Sequence, residues 1–275
     1  MSWMKGLTMN NYIKSPFNYT GTKYPELEEL YSHFPKDCDT LVDLFCGGGS
    51  VFMNSSFKHI IANDIITDLI GFYKELNTKS LDEILEKCKE YSVSKDDQDG
   101  YNKLRAEYNE NPDPYRFFVL CSSCTNNMMR FNKQFKFNQT FGRRCINDNT
   151  VEKLRLYQER MKTFDSLLFT NQSFDTVYIP NNAFVYLDPP YLITEAGYNC
   201  YWSKKLEERL YEYILDLDKN GVKFGLSNMA IHKGVANEYL KKLMNFNWYR
   251  IESFNNKAKK QSNVEESVEV FICNY

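Results

Sequence analysis

The feature that most restricts this chain is an apolar run that passes without a break into three glycines, Val42-Asp43-Leu44-Phe45-Cys46-Gly47-Gly48-Gly49-Ser50. Glycine permits the tight turn after a strand and lets a ligand approach the backbone closely. The next apolar run, Ile60-Ile61-Ala62-Asn63-Asp64-Ile65, ends on an acid, placed where a carboxylate accepts both hydroxyls of a ribose. Together they predict a nucleoside cofactor over the carboxyl ends of parallel strands. Glycines alone fit an ordinary strand–helix turn equally well, and the acid on the following strand tips the reading. The spacing is not Gly-x-Gly-x-x-Gly, which disfavours NAD. No strand leads into Gly-Lys-Ser/Thr, which disfavours a phosphate-cradling loop.

Other short apolar runs read as buried strands: Thr40–Phe45, His59–Asn63, Ser166–Phe169, Ala183–Leu187 and Val222–Leu226. Between them, apolar residues recur at helical spacing: Leu69, Phe72, Tyr73 and Leu76; Leu81, Ile84, Leu85 and Cys88; Leu206, Leu210, Tyr213, Ile214 and Leu217. Strands alternating with helices predict an α/β fold with an open, mostly parallel sheet. Trp248–Phe254 and Glu269–Cys273 alternate in polarity and predict an antiparallel pair at one edge. Residues 77–165 break the strand–helix rhythm with helical patterns and a hairpin-like Phe/Asn/Lys segment at 131–141. The expected division is a catalytic domain of residues 12–76 and 164–275 with an inserted subdomain at 77–163.

A second motif, Val185-Tyr186-Leu187-Asp188-Pro189-Pro190-Tyr191, places a carboxylate at the end of a buried strand and fixes the backbone behind it with two prolines. A rigid loop with oxygen acceptors and a ring suits a planar amine: the oxygens take its N–H groups while the ring stacks on its face. A simple capped Pro-Pro turn is the competing reading of the tetrapeptide alone.

Charge separates along the middle of the chain although the whole carries only −2. Residues 64–110 hold 12 acids and 7 bases, whereas 116–163 hold 10 bases and 3 acids. A polyanion would prefer the second stretch, and a solvated face explains the charge equally well on its own. The opening residues Met1-Ser2-Trp3-Met4-Lys5-Gly6 show no apolar signal core and no stretch is long enough to span a membrane, so a soluble cytoplasmic protein is expected. Eight cysteines are then expected as thiols. Cys121-x-x-Cys124 has no second pair at metal spacing, which favours packing over zinc. The Lys/Asn/Ser-rich segment 255–263 reads as a mobile loop.

These motifs in this order resemble the Dam-type (D12 class) DNA adenine-N6 methyltransferases that use S-adenosylmethionine. The similarity runs through Tyr19-Thr20-Gly21-Thr22-Lys23, the loop Phe45–Val51, Ala62-Asn63-Asp64-Ile65, the segment from Asn127-Met128-Met129-Arg130-Phe131-Asn132 to Phe141-Gly142-Arg143, Asp188-Pro189-Pro190-Tyr191 and Leu226-Ser227-Asn228. The resemblance implies a Rossmann-like methyltransferase sheet with an inserted, mainly helical DNA-recognition subdomain containing a hairpin. It implies cofactor contacts from Tyr19, Lys23, Phe45, Cys46, Gly47, Gly48, Asp64, Ile65, Phe174, Asp175 and Asp188. Tyr19 and Lys23 would serve the methionine end, Asp64 the ribose and Phe174 the adenine. Asp188, Pro189, Pro190 and Tyr191 would be catalytic, with Tyr191 stacked on an extruded base. Arg130 would read a guanine edge, Asn132 would belong to the same DNA-reading hairpin, and Lys133, Lys136, Arg143 and Arg144 would hold phosphates.

The expected reaction is methyl transfer to N6 of an adenine flipped out of duplex DNA, within GATC. No metal and no membrane are expected; no protein partner is marked, and a monomer is expected. The same Pro-Pro-Tyr logic serves RNA bases and protein glutamine amides, and a DNA-binding protein without activity is the alternative from another class. Cofactor crosslinking separates the classes, and methylation assays on DNA, RNA and protein separate the substrates.

Overall fold

The computed structural model describes residues 12–194, 201–252 and 267–275. The opening residues, positions 253–254 of the expected edge strand and the segment 255–263 lie outside them. Eight strands form one sheet among the described residues: β1 (Thr40–Asp43), β2 (His59–Asn63), β3 (Ser166–Thr170), β4 (Ala183–Leu187), β5 (Lys223–His232), β6 (Val235–Ala236), β7 (Asn247–Ile251) and β8 (Val268–Cys273). The order is β3-β2-β1-β4-β5-β8-β7, with β6 paired to β5. Strands β1 to β5 are mutually parallel along this path. β8 returns antiparallel to β5 and β7 antiparallel to β8, which is the Rossmann-like arrangement with an antiparallel edge that the sequence predicted. β5 outruns its predicted end at Leu226 because its later residues pair with β6 and β8, with a bulge between Met229 and Ile231.

Alternation along the strands builds two cores. Leu41, Ile60, Phe184, Tyr186 and Phe271 enter one, while Val42, Ile61, Val185, Leu187 and Ile272 enter the other. The first is covered by α1 (Leu27–His33), α2 (Ser50–Asn54), α3 (Thr67–Thr78) and α7 (Asp148–Met161); the second is covered by α8 (Lys204–Lys219). With helices on both faces, central strands lose the polar alternation of half-exposed ones: β1 and β4 are buried throughout, whereas edge strand β3 is half exposed. At Gly225 of β5 an added Cβ would lie 2.4 Å from Phe271 and 2.9 Å from Phe184, so bulky aromatic neighbours demand the glycine.

Helices α4 (Leu81–Glu90), α5 (Gln98–Glu110) and α6 (Pro114–Ser123) follow α3. Their apolar faces join the first core; Phe118 of α6 stacks on Phe72 of α3 at 4.2 Å between centroids. α4 starts at a reciprocal cap in which Ser80 accepts from the Glu83 N–H and Glu83 accepts from the Ser80 N–H. The segment 130–138 doubles back as an irregular hairpin, with the Asn132 N–H bonded to the Lys136 carbonyl and the Asn138 N–H to the Arg130 carbonyl. Asn109 of α5 binds both backbone groups of Phe137, and Tyr101 donates to the Gln139 carbonyl, strapping the hairpin to α5. Among the described residues no helix is long and apolar enough to cross a membrane.

Candidate active site

The strand order reverses between β1 and β4. Loops leaving their carboxyl ends diverge there and open a crevice, the usual ligand position in such sheets. A cavity of about 530 Å³ fills it, a volume suited to a small molecule. Its walls are the glycine loop after β1, Asp64 and Ile65 after β2, Phe174 after β3, Asp188–Tyr191 after β4, and Tyr19–Lys23 ahead of α1. Because β8 runs against β5, its first residues reach the same rim and bring in Glu269, opposite Met229 in the ladder.

The glycine loop is held from several sides. The Gly47 N–H donates to Asp64 Oδ2 at 2.9 Å and the Gly49 N–H to the Cys46 carbonyl. Buried phenols bind its carbonyls: Tyr73 of α3 donates to Gly47 at 3.0 Å and Tyr157 of α7 to Gly48 at 2.8 Å. Gly47 adopts φ +46°, a left-handed conformation that favours glycine, and the Tyr19 ring packs so close that an added Cβ would lie 2.9 Å from it. Burial pushes the Cys46 thiol well above its ordinary range, which leaves it a neutral wall rather than a nucleophile.

Asp64 also accepts the Ile66 N–H, at 3.0 Å on Oδ1. Burial raises its carboxyl to about 6 against the pull of these backbone donors. Each oxygen keeps a further lone pair for a ligand hydroxyl. Ile65 beside it is 52% exposed, an apolar side chain presented to the cavity. Phe174 lies 5.6 Å from Phe45 and 6.0 Å from Trp202, centroid to centroid, giving the opposite end an aromatic wall.

At the floor, four side chains close a ring. The Lys23 ammonium, 6% exposed, lies 2.9 Å from Asp188 Oδ1 and 3.3 Å from Glu269 Oε1. The Tyr191 hydroxyl reaches the same two oxygens at 3.1 and 2.9 Å, and Lys23 sits 5.0 Å from the Tyr191 ring centroid. Burial by itself would lower the lysine, but the charges of Asp188 and Glu269 outweigh it and raise it. Asp188 is raised by burial, with Lys23 pulling the other way. Both contacts to Asp188 fall on Oδ1; Oδ2 takes part in neither.

Asp43 at the end of β1 lines the cavity at 1% exposure. Neither carboxylate oxygen has a hydrogen-bond partner among the described residues. Burial pushes the group well up, the charges of Asp188 and Asp64 add to that, and the nearby Phe45 and Phe52 N–H groups only temper it. A buried acid without a partner is costly to ionise, and a cationic ligand beside it would offset that cost. Among the described lining residues, Glu26, Asp43, Asp64, Asp188 and Glu269 face a single lysine or arginine, Lys23, so the cavity suits a cation. A glycine loop, a buried acid at the end of β2, an apolar and aromatic end and an excess of acidic side chains are a lining that fits a cationic nucleoside such as S-adenosylmethionine.

A family model described as D12 class N6 adenine-specific DNA methyltransferase matches residues 19–261. The chain belongs to this D12 class. Its relatives include the modification methylase StsI of Streptococcus sanguinis, 36% identical over 96% of this chain, and the type II methyltransferase M.FokI of Planomicrobium okeanokoites, 32% identical over 97%. The chain spans 43% of the length of each. The DNA adenine methylase of Escherichia coli is 31% identical over 66% of this chain and 67% of its own length.

Against the D12 expectations, the structure gathers Tyr19, Lys23, Phe45, Cys46, Gly47, Gly48, Asp64, Ile65, Phe174, Asp188, Pro189, Pro190 and Tyr191 around one cavity. Asp175 is not on its wall: its carboxylate binds the Ser173 hydroxyl and pairs with Arg209 of α8. Arg130, Asn132, Lys133 and Lys136 lie away from it on the hairpin. Asn132 Oδ1 accepts the Gln134 and Lys136 N–H groups and so shapes the hairpin tip. Glu26, Asp43, Trp202, Glu269 and the clamping pair Tyr73 and Tyr157 went unread in the sequence. Only Asp43 carried a usable signal, as an acid inside a strand buried on both faces.

Proposed function

We propose that this D12 chain transfers a methyl group from S-adenosylmethionine to N6 of an adenine everted from duplex DNA. The arrangement that carries the reading is the floor of the cavity. Lys23 and Tyr191 pin one oxygen of Asp188, which leaves Oδ2 for an incoming amine beside the glycine loop and Asp64. S-Adenosylmethionine, when bound, supplies the methyl group on a positively charged sulfur. Asp64 would hold its ribose, Ile65 and Phe174 its adenine, and Asp43 a positive charge. Asp188 Oδ2 and the Pro189 carbonyl would accept the two N–H hydrogens of the target amine and aim the nitrogen at the methyl group. The amine would give up its proton after transfer. Much of the acceleration would come from this positioning. Tyr191 would stack on the base through the ring face away from Lys23, repaying about 1–3 kcal/mol of the cost of unstacking.

Residues 77–163 would form the target-recognition unit, with Arg130 at a guanine and Lys133, Lys136, Arg143 and Arg144 at phosphates. The names of the relatives that span this chain support a role in DNA modification, and GATC is the recognition sequence proposed. The test is incubation with labelled S-adenosylmethionine and duplex DNA, followed by mapping of modified bases. Methylated adenine at GATC is expected. Asp188→Ala should abolish transfer and keep duplex binding. Label appearing in RNA or protein instead of DNA, or normal turnover by Asp188→Ala, would overturn the reading.

A further inference from the structure

A second cavity, of about 620 Å³, adjoins the first and shares Tyr19, Thr22 and Pro25 with it. We propose that this cavity seats backbone phosphates of the substrate DNA beside the everted base, through Lys14, Lys95 and Lys153 together with Arg143 and Arg144. The proposal rests on the methyltransferase reading and names where that substrate's backbone is gripped outside the hairpin.

The two cavities have opposite character. The donor cavity is rich in carboxylates. The second is lined by Lys14, Lys95, Arg143, Arg144 and Lys153 and, among the described residues, by no aspartate or glutamate. These cations come from four separated stretches: the segment before β1, the α4–α5 loop, the turn after the hairpin, and α7. Bringing five like charges to one hollow without a counter-charge on its walls costs energy that an anion recovers. Burial and the charge of Lys14 pull the Lys153 ammonium below its ordinary value, as two neighbouring cations do when no acid stands between them. The first turn of α7, a helix of 14 residues, also lines the hollow through Asn149 and Thr150; its dipole favours negative charge there. Arg143 holds φ +53°, a left-handed conformation that non-glycine residues seldom adopt. Asn127 Oδ1 fixes Arg144 at 2.7 Å. Five cations exceed what one small phosphoanion needs, and a duplex brings a run of phosphates. A strand whose base enters the donor cavity must also pass its backbone over the shared wall.

The test is duplex binding by fluorescence anisotropy over a range of sodium chloride, comparing the wild-type protein with K14Q/K153Q and with K153E. The plot of log K against log salt should become shallower by about 0.9 for each phosphate that the variant no longer neutralises. Weakening should be equal for all sequences, the methylated site unchanged, and the affinity for S-adenosylmethionine retained. An unchanged slope would overturn the proposal, as would altered site choice. A seat for free phosphoanions is tested separately: a rise in wild-type Tm with inorganic phosphate over matched chloride, with no change of slope in the variants, would overturn it too. Wild-type protein that methylates no DNA sinks the parent reading; wild-type protein that methylates while the variants keep its slope sinks only this one.

Discussion

Lys23 and Asp188 are paired at 2.9 Å across the floor of the cavity, so the lysine expected at the methionine end of a methyl donor is already committed to the acid of the Pro-Pro-Tyr motif. Glu269 shares the same ammonium at 3.3 Å. Removing the cation leaves two carboxylates facing each other out of water, and unpairing a buried ion in this way costs about 3–5 kcal/mol. Lys23→Met should lower unfolding stability in urea by that order. A loss below about 1 kcal/mol, the range of an exposed pair, would show that the ring of charges is solvated and contributes little.

Asp64 gives the site a pH dependence. Its folded carboxyl is raised to about 6 from an ordinary 3.8, so the folded chain holds this proton more tightly than the unfolded chain does. The associated stability is full below the ordinary value and is lost as pH climbs through about 6, an effect of about 3 kcal/mol. On the proposed reading ligand binding would run the other way, because ribose hydroxyls would donate best to the ionised acid. Calorimetry should show S-adenosylmethionine binding more tightly from pH 5 to pH 8, with the rise centred near 6. Asp64→Asn should bind weakly and lose that dependence; an unaltered pH profile in Asp64→Asn would remove Asp64 from the ribose.

Tyr191 has separable parts. Its hydroxyl lies between Asp188 and Glu269, and the Lys23 ammonium lies 5.0 Å from its ring centroid, so on the proposed reading a base would stack on the opposite face. Hydrogen bonds to charged groups contribute about 1.5–3 kcal/mol, so Tyr191→Phe should lower kcat by roughly ten- to a hundredfold with KM for DNA nearly unchanged. Tyr191→Ala should lose stacking as well, raising KM. Equal kinetics for the phenylalanine and alanine variants would mean the ring meets no base.

Much of this was legible in the sequence because the decisive signals are local. Each parallel strand is a short apolar run closed by a turn residue, and the glycine loop and Asp188–Tyr191 each carry their chemistry within a few positions. Glu269 was not legible. It lies in β8, between β5 and β7, where nothing in the surrounding apolar run marks it as a site residue, and only the antiparallel return of β8 along β5 carries it to the rim. Trp202 stands in no motif and reaches the cavity through tertiary packing against Phe45 and Phe174. Tyr157 reads as an ordinary core position of α7, and its hydroxyl finds the Gly48 carbonyl only because the chain crosses back over α2 and α3 before entering β3. Of the basic cavity the sequence showed Arg143, Arg144 and Lys153 as part of one basic stretch; that Lys14 and Lys95 join them is set by the tertiary fold.

Arg130 tests the DNA-reading assignment. Its Nε donates to Asn138 Oδ1 at 3.1 Å and its Nη2 to the Asn138 carbonyl at 2.9 Å across the hairpin. Those bonds occupy one edge of the guanidinium and hold its plane, leaving the end-on pair of nitrogens for a bidentate contact. A guanine offers matching acceptors, N7 and O6, in the major groove. Arg130→Ala should therefore relax site choice at one base pair, by about 1–3 kcal/mol of discrimination, while binding to unrelated DNA holds. Asn138→Ala should produce a weaker version of the same defect at the same base pair, because the Nε bond to Oδ1 is lost while the Nη2 bond to the backbone carbonyl stays. Methylation of duplexes carrying each single-base change, scored as relative kcat/KM, reads both variants. Loss spread evenly over all duplexes would place Arg130 on a phosphate, and an Asn138 variant with wild-type selectivity would show that the bond to the Asn138 side chain does not orient it.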